Sequence, residues 1–336
     1  MASSPDVIVI GAGVLGLCTA AELGARGHTV TVIDPGGANA SSVAAGMIAP
    51  ALESLIDDHG AERADLLKRA RDLWPDFADT HGLRLHREGA EWRGEDAEAA
   101  IRRLRTLGFS AEAAPGGLIT SDDWRVEVGA AMTSLRRAPD VSFIRGRANL
   151  VSGEGRRWRV AAEDGRVWFA SALVLATGAE PAVGGLPASV TALVNSITPI
   201  RGQAARVAGA SLKRVLRGDG LYAAPVEGGV IIGATMEPDR RDLTPDPAES
   251  DRQVRVGLAL MGAEAAVGES RVGVRGATSD QLPLAGPSGE AGLHLALAPR
   301  RNGWLLGPLV ARTVADGIEG QPPVPDAVAL DPLRFA

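Results

Sequence analysis

The chain contains almost no cysteine, and this scarcity excludes two kinds of site. Cys18 is the only cysteine among 336 residues, so neither an internal disulfide nor a multi-cysteine metal centre can form. A single cysteine is compatible with a reducing compartment, and we expect a cytoplasmic protein. The five histidines show no metal-ligand spacing, so no metal is expected.

Long apolar runs and an excess of positive charge are also missing. No stretch of about 20 apolar residues is present, so no transmembrane helix is expected. Apolar residues 7–17 lack a preceding basic segment, which argues against a signal peptide. The formal net charge of −6 does not favour a nucleic-acid partner. With 45% hydrophobic and 23% charged residues, the composition is typical of an enzyme with one large or two modest domains.

The first 34 residues carry the strongest pattern. An apolar strand at 6–10 enters a glycine turn and is followed by an alanine-rich helical stretch to Gly27. A second strand at 28–33 ends on Asp34. This order predicts a βαβ unit that binds an adenine dinucleotide. The turn consists of Gly11, Ala12, Gly13, Val14, Leu15 and Gly16.

The residues of this unit have separate physical roles. Gly11 permits the tight turn, and Gly13 lets the backbone approach a pyrophosphate. Gly16 allows close packing of helix and sheet, while the helix N-terminus offers N–H groups to phosphates. Asp34 follows Gly11 by 23 positions, where a carboxylate accepts hydrogen bonds from ribose hydroxyls.

Periodicity and turn signals predict the remaining elements. We expect helices at 62–79 (broken or kinked near Pro75), 95–107, 253–261 and 305–318. A further helix is predicted at 122–137, with Ser121 as its N-cap. Residues 141–145 are a predicted strand, and residues 173–178 are a predicted short buried strand that ends on a Thr-Gly turn. Asp164-Gly165 and Gly228-Gly229 are predicted hairpin turns.

These elements predict an α/β fold, in which a Rossmann-like dinucleotide-binding domain carries an inserted α+β domain with an antiparallel sheet. The binding domain is predicted to be discontinuous, at 1–80, 121–197 and 273–336. The substrate-binding domain is predicted at 81–120 and 198–272.

Seven segments together resemble the D-amino acid oxidase-like flavoproteins, and within them the glycine oxidases of thiamin biosynthesis. The resemblance covers nearly the whole chain. Because the segments follow one another in the same order as in the family, chance similarity is improbable. The segments are the 11–16 turn with Asp34, 40–50, 175–178, 199–203, 222–236, 273–286 and 301–308.

The resemblance implies non-covalent FAD as the cofactor. Beyond the turn and Asp34, it implies that FAD contacts a set of loop and strand-end residues. They are Pro35, Ser41, Ser42, Ala45, Gly46, Met47, Ala148, Thr177, Gly178, Arg275, Arg301, Asn302, Gly303, Trp304 and Leu305. Ser41 and Ser42 have an alternative role as loop caps. Cys18 is expected to be a small buried side chain, not a flavin attachment.

The resemblance also implies the reaction. Glycine or a related small amine acid would lose a hydride from its α-carbon to flavin N5, with O2 as acceptor and H2O2 as product. Arg275 matches the arginine that pairs with the substrate carboxylate, and Tyr222, the only tyrosine, matches its hydroxyl partner. Arg301 matches a second arginine at the mouth of the site, and Met236 an apolar wall residue. A homo-oligomer is compatible with the sequence.

Other functions stay open at this point. Within the family, the alternative is a D-amino acid or sarcosine oxidase or dehydrogenase. The residues at 298–300 and 275–278 depart from the usual glycine oxidase motifs, and both segments lie near the flavin or substrate. Outside it, related domains act in tRNA modification, although the acidic balance argues against tRNA binding. A flavin-binding regulator without turnover is a third alternative.

Overall fold

The structure of the chain is a computed structural model, and it describes residues 6–218, 220–263 and 268–335. In chain order, the helices are α1 (Val14–Ala25), α2 (Pro50–Ile56), α3 (Ala61–Asp72), α4 (Trp74–His81), α5 (Ala97–Thr106), α6 (Val128–Leu135), α7 (Ala188–Asn195), α8 (Pro247–Met261), α9 (Gly303–Ile318) and α10 (Pro325–Val328), with a 3₁₀ turn at Pro332–Phe335. The strands are β1 (Val7–Ile10), β2 (Val30–Asp34), β3 (Met47–Ile48), β4 (Leu85–His86), β5 (Ala90–Arg93), β6 (Glu112–Ala114), β7 (Gly117–Thr120), β8 (Trp124–Val126), β9 (Val141–Arg145), β10 (Ala148–Glu154), β11 (Arg157–Ala162), β12 (Val167–Ala170), β13 (Ala172–Leu175), β14 (Thr198–Ala208), β15 (Val215–Gly218), β16 (Leu221–Val226), β17 (Gly229–Gly233), β18 (Glu237–Pro238), β19 (Gly268–Ala277), β20 (Leu284–Pro287) and β21 (Leu293–Leu297).

The first sheet, as far as the structure describes it, has six strands in the order β20-β21-β13-β1-β2-β9. All neighbours run parallel except β20 and β21. Val7 and Val9 face a core built with α1 and α9, whereas Ile8 and Ile10 face a core built with the β10–β12 sheet. Both faces are buried because successive side chains of a strand point to opposite sides. The predicted parallel unit is therefore confirmed.

The second sheet has nine strands within the described ranges. Its order is β18-β14-β17-β16-β15-β5-β7-β6, and β19 pairs with the other edge of β14. On one face of this sheet, apolar residues of β14, β16 and β17 pack against α8. On the opposite face, apolar residues pack against α2 and α5. The predicted hairpins at 164–165 and 228–229 are confirmed, because β11 pairs with β12 and β16 with β17. The predicted boundary at residue 273 falls inside β19, and the division into two domains stays a prediction.

The predicted helix at 62–79 forms as two helices that meet at Leu73. Pro75 lies in the first turn of α4, where its missing N–H has no intrahelical partner to lose. The break predicted near this proline is confirmed, but it falls two residues before it.

The prediction of a helix at 122–137 capped by Ser121 is wrong at its beginning. Residues 124–126 form β8, which pairs with β3 and β4, and the helix begins only at Val128. Asp123 accepts hydrogen bonds from the backbone N–H groups of Ala51 and Leu52 instead of starting a helix. Strand pairing with distant segments has overridden the local capping signal.

Candidate active site

One row of residues crosses the second sheet and lines a cavity of about 390 Å³. Strand register places Ala204 opposite Gly233, Gly233 opposite Tyr222, Tyr222 opposite Arg217, and Arg217 opposite Trp92. Directly opposite residues share one face of a sheet. The row therefore has small residues at one end and three large side chains at the other.

Arg275, on β19, lies over the small end of this row. A Cβ atom at Gly202 would come within 2.2 Å of Arg275 Nη2, so a side chain there would displace the guanidinium from its present position. Nη1 donates to the Thr235 carbonyl at 3.4 Å and contacts Met236 Sδ. Within the described residues, no carboxylate lies within 4.0 Å of the Arg275 side-chain nitrogens. Burial lowers the pKa of Arg275, but arginine remains protonated.

Tyr222 presents its hydroxyl to the same cavity. A Cβ at Gly233 would lie 3.0 Å from this oxygen, so the small residue leaves room for it. Burial raises the pKa of Tyr222, while the nearby charges of Arg275 and Arg217 both lower it. The hydroxyl is therefore a neutral donor. In the order of the strands, the guanidinium of Arg275 lies on one side of it and that of Arg217 on the other.

Glu53, on α2, is a buried acid that the sequence analysis missed. It is 3% exposed. Its Oε1 accepts a hydrogen bond from Arg217 Nη1 at 2.7 Å, and its Oε2 accepts one from Arg301 Nε. Burial raises the pKa of Glu53, but the two guanidinium groups outweigh it and hold this pKa at about 2. The sequence did offer one signal for Glu53: it is the one charged residue in the otherwise largely apolar segment 47–56, and a charge in such a segment indicates a buried, paired side chain.

Arg301 lines the cavity, but its charge is already compensated. Besides Glu53, it pairs with Asp57 Oδ2 at 2.9 Å, and Asp57 also binds Arg300 at 2.6 Å. Burial lowers the pKa of Arg301, whereas Glu53 and Asp57 raise it, with a net rise. Arg301 thus differs from Arg275, which has no such partner among the described residues.

Asp123 fixes the helix that carries Glu53. Its two carboxylate oxygens accept the N–H groups of Ala51 and Leu52 at 2.8 and 3.1 Å, at the start of α2. Burial raises the pKa of Asp123 to about 7, against the lowering effect of these two donors and Arg217. Through these two hydrogen bonds, the carboxyl group holds the first turn of α2 in place.

A second cavity, of about 100 Å³, lies where the N-termini of α1 and α9 converge. Gly13 and Val14 line it from α1, and Gly303 and Trp304 from α9. Ser41 Oγ accepts the Val14 N–H at 2.9 Å, so the loop after β2 closes over this point. Two helix N-termini directed at one cavity favour a bound anion.

The turn before α1 has the geometry that a dinucleotide needs. Gly11 has a φ of +110°, and a Cβ there would lie 2.3 Å from the Ala176 carbonyl oxygen. Asp34 Oδ2 accepts the Ala12 N–H at 2.7 Å, and its Oδ1 accepts the Gly36 N–H at 2.7 Å. The backbone thus orients the carboxylate beside the turn, in the position expected for a ribose partner. These residues fit an adenine dinucleotide.

The structure divides the predicted site residues into three groups. The larger cavity is lined by Ala45, Gly46, Met47, Tyr222, Met236, Arg275, Arg301, Asn302 and Trp304. The smaller one is lined by Gly13, Val14, Leu15, Ser41, Gly178, Arg275, Arg301, Gly303 and Trp304. Neither lining includes Gly11, Ala12, Gly16, Asp34, Pro35, Ser42, Ala148, Thr177 or Leu305.

Several residues of the third group have identifiable local contacts. Ser42 Oγ exchanges hydrogen bonds with the Asn39 backbone, which is the loop-capping role kept open above. Leu305 is buried, and its carbonyl accepts the Trp74 indole N–H. Ala148 begins β10, two residues after Gly146, whose N–H binds the Asp34 carbonyl. Cys18 is buried in α1, where burial raises its thiol pKa.

The chain matches the family model described as FAD dependent oxidoreductase (DAO) over residues 6–317. The chain belongs to this family. Its cofactor is accordingly FAD, and the glycine turn, the Asp34 carboxylate and the two converging helix N-termini fit that cofactor. Of the described helices, none is both long and apolar enough to span a membrane.

Curated relatives carry two different names. The bifunctional protein ThiO/ThiG of a Nostoc species is 32% identical, and that of Trichormus variabilis 30% identical, each covering 94% of this chain and 53% of the relative. The tRNA 5-methylaminomethyl-2-thiouridine biosynthesis bifunctional protein MnmC of Idiomarina loihiensis is 28% identical, covering 94% of this chain and 56% of the relative. The chain thus spans about half the length of these relatives.

Solved structures match the chain over nearly its whole length. A glycine oxidase from Geobacillus kaustophilus has a TM-score of 0.81 and 23% identity, covering 98% of both chains. An iminodiacetate oxidase from Chelativorans sp. BNC1 has a TM-score of 0.78 and 20% identity, covering 95% of this chain and 97% of that one. These similarities establish the fold of the oxidoreductase.

Proposed function

We propose that this FAD-dependent oxidoreductase oxidatively deaminates glycine or a related small amine acid. The observation that carries the proposal is the Arg275 guanidinium, which is half-buried and lines the cavity without a carboxylate partner among the described residues. A cation that is partly withdrawn from water and has no charged partner is less stable than a paired one, and a substrate carboxylate would compensate it. Relatives named ThiO/ThiG and a structural neighbour named glycine oxidase support the same reading.

In this proposal, the side chains bind and orient the substrate. The planar fork of Arg275 holds the carboxylate by two parallel hydrogen bonds, and the Tyr222 hydroxyl donates a third. Met236 Sδ contacts Arg275 Nη1 beside this position. Orientation of this kind lowers a barrier by roughly 7–11 kcal/mol in the best intramolecular cases.

The cofactor would lie along the two cavities. The turn after β1 and the N-terminus of α1 would hold the pyrophosphate, and Asp34 the ribose. Residues 44–47 and the start of α9 would border the ring, where the helix dipole stabilises negative charge. When bound, FAD takes up a hydride equivalent from the α-carbon, and the resulting imine is hydrolysed to an oxo acid and ammonia.

O2 is the proposed electron acceptor, giving H2O2, and the names of the two oxidase structures support this choice. We also propose the cytoplasm as the location, on the basis of the single buried cysteine.

The decisive experiment is anaerobic mixing of the purified yellow protein with glycine, sarcosine and D-alanine. Loss of the oxidised flavin band, at roughly 450 nm, reports reduction by the substrate. Comparison of the three rates separates a glycine oxidase from a sarcosine or D-amino acid oxidase. Retention of the band with every amine acid would contradict the proposal.

A second candidate function is tRNA modification, favoured by the relatives named MnmC at 28% identity. The net charge of −6 argues against it, because phosphate contacts need clustered positive charge. Tight tRNA binding at physiological salt, combined with no flavin reduction by free amine acids, would favour this candidate.

A further inference from the structure

A second arginine of the cavity, Arg217, lies beside Tyr222, one strand further from Arg275. Arg217, on β15, faces Tyr222 on β16 across the sheet, and both side chains line the cavity. Residues directly opposite on neighbouring strands have Cβ atoms about 5 Å apart. A ligand held by Tyr222 is therefore within reach of Arg217 as well as of Arg275.

Arg217 is buried, with 7% of its surface exposed, and only part of its hydrogen-bonding capacity is used. Its Nη1 donates to Glu53 at 2.7 Å. Across the described ranges 6–218, 220–263 and 268–335, no other hydrogen bond from this guanidinium is found. A guanidinium has five N–H donors, so four of them have no protein partner in these ranges.

The charges around the cavity are unbalanced. Of the described residues in its lining, four are arginines (Arg93, Arg217, Arg275 and Arg301) and one, Glu53, is an acid. Glu53 is shared by Arg217 and Arg301, and Asp57, outside the lining, is shared by Arg300 and Arg301. Arg93 pairs with Glu91, so the excess lies with Arg217, Arg300 and Arg301, three guanidinium groups that share the two carboxylates of Glu53 and Asp57. After a substrate carboxylate has compensated Arg275, this remaining positive charge attracts a further anion.

We propose that Arg217 binds a second carboxylate of the substrate, so that amine acids with two carboxylates are preferred over those with one. Arg275 and Tyr222 hold the carboxylate next to the reacting α-carbon, and Arg217 holds the other. The inference rests on the proposed function, because it extends the same cavity. The alternative is that Arg217 serves only as the counter-ion of Glu53.

The test compares acids of matched shape in anaerobic flavin reduction. Iminodiacetate carries its second carboxylate on a methylene group bound to the nitrogen and is compared with sarcosine, which has a methyl group there. D-aspartate carries it on the β-carbon and is compared with D-alanine, whose β-carbon is a methyl group. We expect one dicarboxylate to exceed its partner in kcat/KM by roughly 10- to 100-fold, the range of a hydrogen bond to a charged group. The pair of acids that shows this preference identifies whether the second carboxylate of the substrate lies on the nitrogen side or on the α-carbon side.

Variants connect the preference to Arg217. Arg217→Gln should reduce the dicarboxylate-to-monocarboxylate ratio toward one, and Arg217→Lys should reduce it partly while keeping a cation beside Glu53. Arg252→Gln is the matched control, because Arg252 also pairs with a glutamate, Glu249, but on the exposed surface of α8. This control should leave the ratio unchanged.

A binding measurement without turnover separates this inference from the proposed function. We expect succinate to raise the melting temperature of the FAD-loaded protein more than acetate at equal concentration, and Arg217→Gln to remove the difference. Equal effects of the two acids, or an unchanged substrate ratio in Arg217→Gln, would overturn the inference. If no amine acid reduces the flavin but succinate still binds through Arg217, the proposed reaction fails and the anion position remains.

Discussion

Gly202 lies directly beneath the guanidinium of Arg275. An added Cβ would lie 2.2 Å from Nη2, 2.7 Å from Cζ and 3.1 Å from Nη1, so the whole planar group rests on this backbone position. A residue on β14 therefore determines where a side chain of β19 can bind a carboxylate. The relationship gives the first of four predictions.

Gly202→Ala should displace the Arg275 guanidinium and weaken substrate binding. We expect kcat/KM for the best amine acid to fall by at least about 10-fold, because a displacement of about 1 Å in a positioning group is enough for a large loss. Steady-state kinetics with a peroxide assay measures this. Gly153→Ala, at a position with open space, should leave kcat/KM unchanged. Equal kinetics in both variants would contradict the role of Gly202.

Arg275→Leu should retain FAD but lose turnover, because the carboxylate then has no planar partner. We expect kcat/KM to fall by about 100-fold or more, consistent with the strength of a bidentate charged pair. Arg275→Lys should recover part of the loss through charge alone. The flavin spectrum verifies cofactor loading in each variant. Unchanged kcat/KM in the leucine variant would exclude Arg275 as the carboxylate partner.

Glu53→Gln should change the pH dependence of stability. The pKa of Glu53 is about 2 in the folded protein, against an ordinary value of 4.5. A carboxyl group with a lowered folded pKa contributes stability above pH 4.5 and loses it as the pH falls toward 2. The difference between 4.5 and about 2 corresponds to roughly 3 kcal/mol.

We therefore expect Glu53→Gln to lower the free energy of unfolding by about 3–5 kcal/mol above pH 5, because the buried Arg217 and the half-buried Arg301 both lose a charged partner. This deficit should shrink as the pH approaches 2. Denaturant unfolding of the wild type and the variant across this pH range tests it. Glu98→Gln, at an exposed position on α5, is the control. A deficit independent of pH would show that the ion pairs do not cause it.

Asp34→Ala should weaken FAD binding. The carboxylate is oriented by the N–H groups of Ala12 and Gly36, and hydrogen bonds from a ribose to a charged acceptor are each worth about 1.5–3 kcal/mol. We expect the Kd for FAD to rise by roughly 10- to 100-fold. Quenching of flavin fluorescence on addition of apoprotein measures this Kd. A variant with wild-type affinity would remove Asp34 from the cofactor site.

Local sequence predicted the elements whose signals lie within a few residues. The β1 turn, α9 after the 301–303 segment, and the hairpin at 228–229 depend on glycines, helix N-termini and short-range alternation. The helix predicted from residue 122 failed because the strand β8 is stabilised by β3 and β4, which come from residues 47–48 and 85–86. No local pattern in 121–126 carries that information.

The candidate site shows the same division. Arg275 and Tyr222 stand in segments with family-like motifs, so the sequence could propose them. Arg217 and Glu53 belong to no such motif, and they are 164 positions apart in the chain. Their pairing depends on how α2 packs against the second sheet, which the sequence analysis did not address.

The sequence by itself determined the βαβ unit and its acidic end at Asp34, because backbone sterics and the helix N-terminus act between consecutive residues. Only the tertiary structure decided which arginines of the cavity are compensated. Glu53 engages Arg217 and Arg301 but leaves Arg275 unpaired among the described residues, since charge compensation depends on distances of a few ångströms between strands and helices far apart in the chain.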